Sequence, residues 1–242
     1  MEHDETLLQA EQRFRSDVEQ HVLTVLRDDI AHRHLRFKSP STTENHFDII
    51  TWPNYLCIVG DCGSFVFERT YDMLAFFAPR DVLGEKPLAA PIYINPHYWS
   101  EKVEAADHSG VKRHSEAAFR SAVDGYVQPY LDKLSREEEA LRLKARSGPL
   151  AEEDEWRLDK LGDIQADFAS AVQSDVLEYA ADGPLAHHAV HVFEHEGFRF
   201  EDWEHDATEF TPRFLWCLRA IVWGTRLYGL AKQQASKEPA HG

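Results

Sequence analysis

Apolar residues at Leu7, Leu8, Phe14, Val18, Val22, Val25, Leu26 and Ile30 recur every three or four positions, and this spacing predicts one amphipathic helix over roughly residues 4 to 31. Beyond it the period shortens. Four runs, His34-Leu35-Arg36-Phe37, Phe47-Asp48-Ile49-Ile50, Tyr55-Leu56-Cys57-Ile58-Val59 and Phe65-Val66-Phe67, are separated by Ser39-Pro40-Ser41, Pro53-Asn54 and Gly60-Asp61-Cys62-Gly63. Connections this short leave no room for crossovers, so an antiparallel meander of about four strands is expected.

The remainder reads as helices. Tyr71 to Phe77 forms a short one stopped by Pro79, and Asn95-Pro96 caps another running to about Ala106. Ser115 caps a helix carrying Phe119 and Val123, and Pro129 starts a further one. Residues 129–180 predict a protruding helical hairpin folded at Ser147-Gly148-Pro149, with Leu131, Leu134 and Leu141 facing Leu161, Ile164, Phe168, Val172 and Val176. Gly183-Pro184 ends it. A helix bearing His187, His188, His191 and His195 follows, then an extended Phe198-Arg199-Phe200. The last helix, from about Pro212 to Lys232, is apolar on most faces and is expected at the centre of the core. The fold class is α+β, in a single domain over residues 1–242: a meander packed by helices, with a helical hairpin and a buried C-terminal helix.

Composition narrows the class. A hydrophobic fraction of 43% in 242 residues supplies a substantial core. The run Leu215 to Trp223 is broken by Arg219 and is too short to span a bilayer. The acidic N-terminal residues lack the basic segment and apolar stretch of a secretory signal, so a cytoplasmic setting is expected. Cys57, Cys62 and Cys217 fit neither a redox pair nor a zinc knuckle and read as reduced thiols.

Charge changes the picture more. The formal net charge is −16, and Glu152 to Glu209 holds seventeen acids against Arg157, Lys160 and Arg199, a net of −14. Such a stretch repels phosphates, which argues against direct nucleic-acid binding there and favours a basic protein partner. Within it, Glu155, Asp159, Asp163 and Asp167 recur every four residues. On a helix they form a row with steps of about 6 Å, close to the spacing of phosphates along a strand. Like charges at that spacing oppose helix formation, while Glu152, Glu153, Asp154 and Glu155 suit a helix N-terminus.

Three stretches carry a family likeness: Thr51-Trp52-Pro53 through Gly60-Asp61-Cys62-Gly63 to Asp72-Met73-Leu74-Ala75-Phe76-Phe77; Ile94-Asn95-Pro96-His97-Tyr98-Trp99-Ser100-Glu101-Lys102; and Phe198-Arg199-Phe200-Glu201-Asp202-Trp203 onward to Thr211-Pro212-Arg213-Phe214-Leu215-Trp216-Cys217. Together they resemble a group of uncharacterised proteins of bacteriophages, prophages and other mobile elements. The resemblance implies no activity, cofactor or catalytic residue. It implies a genetic setting in which small acidic proteins often inhibit host defence systems.

Candidate chemistry is sparse. His187, His191 and His195 stand at four-residue intervals, so neighbouring pairs could ligate one metal with Glu194, Glu196 or Asp202 as a third ligand; the first and third are about 12 Å apart along a straight helix, too far to share an ion. Gly60-Asp61-Cys62-Gly63 lies between strands and reads as a tight turn needing glycine, without the following helix of a phosphate loop. Trp99, Trp203, Trp216 and Trp223 read as core. With no complete catalytic motif and no cofactor expected, the leading expectation is a non-enzymatic binding protein. Its partner-binding residues are Glu152, Glu153, Asp154, Glu155, Asp159, Asp163 and Asp167, which mimic phosphates toward a basic, nucleic-acid-binding host defence protein. The alternatives are a metal-dependent hydrolase acting on nucleotides, using His187, His191, His195 and Asp202, and an accessory or assembly protein that self-associates through its C-terminal helix.

Overall fold

The computed structural model describes residues 2–78 and 88–237. Pro79, expected to stop a helix, and the side chains of Leu7 and Leu8 lie outside the described residues. The chain forms two compact units, one from residues 1–112 with 210–242, the other from residues 113–209. The hairpin arms belong to the second.

In the first unit, short runs rich in β-branched and aromatic residues build a sheet. Strands β1 (Val22–Asp29), β2 (His32–Lys38), β3 (Phe47–Trp52), β4 (Tyr55–Gly60), β5 (Gly63–Glu68) and β6 (Val103–Ala106) pair antiparallel in chain order. Leu35, Phe37, Phe47, Ile49, Leu56, Ile58, Phe65 and Phe67 are buried on one face. The four expected strands are the four in the middle; the sheet has six because both neighbours had been read as helix.

The N-terminal helix α1 (Glu2–Val18) stops at Val18, where His21 N donates to the Val18 carbonyl at 2.9 Å, and residues 22–29 form β1 instead. Two physical causes explain the difference. Val22, Thr24 and Val25 are β-branched and stiff in χ1. Val22, Val25 and Leu26 are also all exposed, so this edge strand carries no alternating buried face to mark its period, and a bulge between Val25 and Arg27 interrupts its register. At the other edge, helix α3 (Pro96–Ser100), capped by Asn95, ends after five residues. The chain to Ala106 is β6, because β5 offers Val103 to Ala106 a ladder, with Phe65 opposite Ala106.

The glycines of the turn between β4 and β5 are needed for separate reasons. Gly63 has φ +132°, and a Cβ on Gly60 would lie 2.2 Å from the His46 carbonyl oxygen. Helix α2 (Met73–Phe77) is capped by Asp72, whose side chain accepts from Leu74 N and Ala75 N.

Helix α7 (Pro212–Lys237) fills the centre of this unit. Phe214, Leu218 and Ile221 are wholly buried, Phe214 stands edge-on to Phe65, and Trp216 and Trp223 pack edge-on to Phe14 of α1. Trp216 Nε1 also donates to Asp17 at 3.0 Å. Helix and sheet approach so closely at Gly224 that a Cβ there would stand 2.9 Å from both Ile49 Cδ1 and Phe37 Cζ. The apolar faces of α7 are therefore used within the chain.

The second unit begins and ends on two short paired strands, β7 (Lys112–His114) and β8 (Thr208–Phe210). Helix α4 (Glu116–Ser147) is capped by Ser115 Oγ, which accepts from Ala118 N at 3.3 Å. It runs unbroken through Pro129, where a new start was expected. A proline there forfeits one backbone hydrogen bond, but Phe119, Val123, Val127 and Leu134 form one buried stripe across it, and that burial carries the helix through. Helix α5 (Glu152–Asp175) returns as the second hairpin arm, burying Leu161, Phe168 and Val172, while Leu141 and Ile164 are half-buried. A 3₁₀ turn (Leu177–Tyr179) follows, and Pro184 opens helix α6 (Gly183–Val192) with Asp182 as its cap, rather than closing the hairpin. Helix α6 buries Ala186 and Val190 in the same cluster as Phe119, Phe168, Phe193 and Phe200.

Candidate functional site

Charge follows the division of the chain. Residues 113–209 carry 23 acids and 10 bases, a net of −13 of the total −16. Helix α5 holds the densest part. Its first turn is Glu152, Glu153, Asp154 and Glu155, behind an N-cap, Ala151, that offers no side-chain acceptor. Four carboxylates in this turn meet the positive end of the helix dipole, a favourable placement.

Glu155, Asp159, Asp163 and Asp167 all point into solvent, and the last three side chains are 75, 79 and 77% exposed. The row expected from the four-residue spacing is present on one helix. Its neutralisation is partial. Lys160 Nζ lies 3.4 Å from Asp159 and 3.6 Å from Asp163, and His195 Nε2 lies 3.1 Å from Asp167. Arg157 turns away from the row to α4, where its Nε donates to Glu137 at 2.8 Å and holds that carboxyl below the usual range. Asp154 is paired with Lys144 of α4. Glu152 and Glu153 are exposed. Of the seven acids singled out from the sequence, six are exposed and one, Asp154, is half-buried and paired with the other hairpin arm.

The histidines separate into two groups. His187 and His191 lie on the exposed side of α6 with Nε2 atoms 3.2 Å apart and ring centroids 4.3 Å apart. Helix α6 ends at Val192, so His195, expected on the same helix, lies beyond it, in an isolated bridge with Phe198 and against Asp167. Asp202 occupies a left-handed turn at φ +52°, and its carbonyl oxygen accepts from the Tyr126 hydroxyl at 3.0 Å. The four residues do not converge: among the described residues no group of three or more histidine, cysteine or acidic side chains is arranged to hold a metal ion.

Sequence spacing gave no signal for a shallow pocket of about 190 Å³ beside His191, lined by Glu194, Arg199, Phe200 and Glu201. Two of its charges are engaged with each other, since Arg199 Nη2 donates to Glu194 at 2.5 Å. The volume is below the roughly 300–1,000 Å³ of pockets that enclose a ligand such as a nucleotide.

The thiols are unsuited to nucleophilic work. Burial pushes Cys62 up to about 11 and raises Cys57 and Cys217 as well, so all three are held as neutral thiols at neutral pH. Trp99 packs edge-on to Phe77, and Trp203 packs against Phe119 and Tyr126, as core aromatics. No helix among the described residues is long and apolar enough to cross a membrane. The chain matches no protein-family model, no curated protein and no solved structure.

Proposed function

We propose that this protein acts by binding rather than catalysis, presenting the exposed acidic face of α5 to a basic, nucleic-acid-binding surface of another protein. The observation that carries the reading is the row Glu155, Asp159, Asp163 and Asp167, four carboxylates at helical-turn spacing that stay in solvent. A solvated helix needs no such row. Like charges at i, i+4 cost a few tenths of a kcal/mol per pair, and mixed signs would serve solubility as well. Steps of about 6 Å match successive phosphates, so a groove built for a nucleic-acid backbone would accept the row. A cytoplasmic setting and a host defence protein as the partner form part of this proposal, and the choice of partner rests on the family resemblance.

Binding driven this way is screened by salt, because the Debye length falls from about 10 Å to about 3 Å between 0.1 M and 1 M. The test is capture of proteins from bacterial lysate by wild type and by the variant E155Q/D159N/D163N/D167N, each at low and high salt and with competing DNA. Expected is a basic nucleic-acid-binding protein held by wild type at low salt, released by salt and by DNA, and not held by the variant. Retention that ignores salt, DNA and the four substitutions refutes the proposal.

A further inference from the structure

Helix α6 presents an imidazole pair that the proposed binding face does not use. His187 and His191 are one helical turn apart and exposed, while Ala186, Ala189 and Val190 bury the opposite side of the helix. The scaffold is fixed at both ends: Asp182 Oδ1 accepts from Leu185 N at 3.1 Å, and Phe193 N donates to the Ala189 carbonyl at 3.0 Å. The two rings are therefore carried on a docked helix rather than a loop, which limits the ordering needed to bring them onto a common ligand.

The distance between them suits a shared metal ion. Two nitrogens bound to one tetrahedral ion at about 2.0–2.1 Å lie about 3.3 Å apart. The Nε2 atoms of His187 and His191 are 3.2 Å apart, with the rings inclined at 60°. At that separation the two rings share a hydrogen bond, and a rotation of one ring that turns both Nε2 lone pairs toward a common point converts the pair into a two-imidazole chelate. Imidazole nitrogen selects borderline transition metals, whereas Mg²⁺ and Ca²⁺ require oxygen donors.

We propose that His187 and His191 together chelate one divalent transition metal ion, Zn²⁺, Ni²⁺ or Cu²⁺, through their Nε2 atoms, leaving its other coordination positions to water or to a donor from another molecule. The site needs neither His195 nor Asp202. It is independent of the acidic face of α5, and neither proposal depends on the other.

The experiment is calorimetric titration of the untagged full-length protein with Zn²⁺ and with Ni²⁺. Wild type is compared with His187→Gln, His191→Gln and, as a control on the same exposed helix, His188→Gln. Each of the first two substitutions is expected to weaken the tightest site by about tenfold or more, and the control to stay within about twofold. A large excess of Mg²⁺ leaves the isotherm unchanged. Because all three side chains are exposed, far-UV circular dichroism should be the same for all variants. Imidazole NMR spectra provide a second readout on wild type alone: Zn²⁺ is expected to shift the ring signals of His187 and His191 first. The proposal is overturned by wild-type affinity in either His187→Gln or His191→Gln, by an equal loss in His188→Gln, or by first shifts at other histidines.

Discussion

At the scale of single residues, the fold places one carboxylate where its charge contributes to stability. Asp48 on β3 is 8% exposed and lies between two donors on β2: Arg36 Nε and Nη2 donate at 2.9 and 2.8 Å, and His34 Nε2 stands 2.8 Å away. Burial alone would raise its pKa, but the Arg36 and His34 hydrogen bonds outweigh it and the net shift is downward. A carboxyl whose pKa is depressed on folding stabilises the native state above the unfolded value, about 3.9, and loses that contribution as pH falls through its folded value. Asp48→Asn is therefore expected to lower the urea midpoint at pH 7, with the gap to wild type narrowing below about pH 4 as Asp48 itself is protonated. A gap of constant size across that range would show that the charge contributes nothing. The pairing was not legible in the sequence, because it depends on which β3 residue lies opposite Arg36, and register is set by the whole sheet.

At the scale of elements, what could be read from the chain depended on whether one period dominated. The middle strands are short runs rich in β-branched and aromatic residues bounded by turn residues, so they were legible, as were the Ser115 cap and the hairpin bend at Ser147-Gly148-Pro149. Strand β1 was not, because its exposed Val22, Val25 and Leu26 fall at helical spacing without an alternating buried face, and neither was β6, which follows a good helix start and exists only because β5 is beside it. The acidic row was fully legible, since four-residue spacing on a long helix fixes its geometry. The pairing of His187 with His191 was legible too, but the departure of His195 was not, because nothing in the local pattern marks the end of α6 at Val192. The row on α5 leads to a prediction opposite in sign for stability and binding. Its three i, i+4 pairs each cost a few tenths of a kcal/mol, so D159N/D163N/D167N, which breaks all three and keeps Glu155 at the helix N-terminus, should stabilise α5 by about 1 kcal/mol at low salt. Thermal unfolding followed by far-UV circular dichroism should show a higher midpoint for the variant, with the difference shrinking as salt is added. A lower midpoint at low salt would mean that the Lys160 and His195 pairings already compensate the row.

At the scale of the whole molecule, the second unit is an insertion in the chain of the first. Sheet and α1 come before residue 113 and α7 comes after residue 209, so the core of the first unit closes only when its two sequence-distant parts meet. The points of departure and return are neighbours: Thr211 N donates to the Val111 carbonyl at 2.9 Å, and Lys112 Nζ lies 5.7 Å from the centre of the Phe210 ring. A two-residue turn such as Asn-Gly spans a gap of that kind in antiparallel chains. Replacing residues 113–209 by Asn-Gly should therefore leave the first unit folded. The shortened chain would retain its strand signal, protect the Trp216 and Trp223 fluorescence from quenchers, and unfold cooperatively. Its formal charge would fall to −3, since residues 113–209 carry −13 of the −16. It should then lose every salt-sensitive partner that wild type retains. A shortened chain that fails to fold would show that α7 needs the insertion to find its place on the sheet. One that folds and keeps those partners would place the binding surface on the first unit, away from α5.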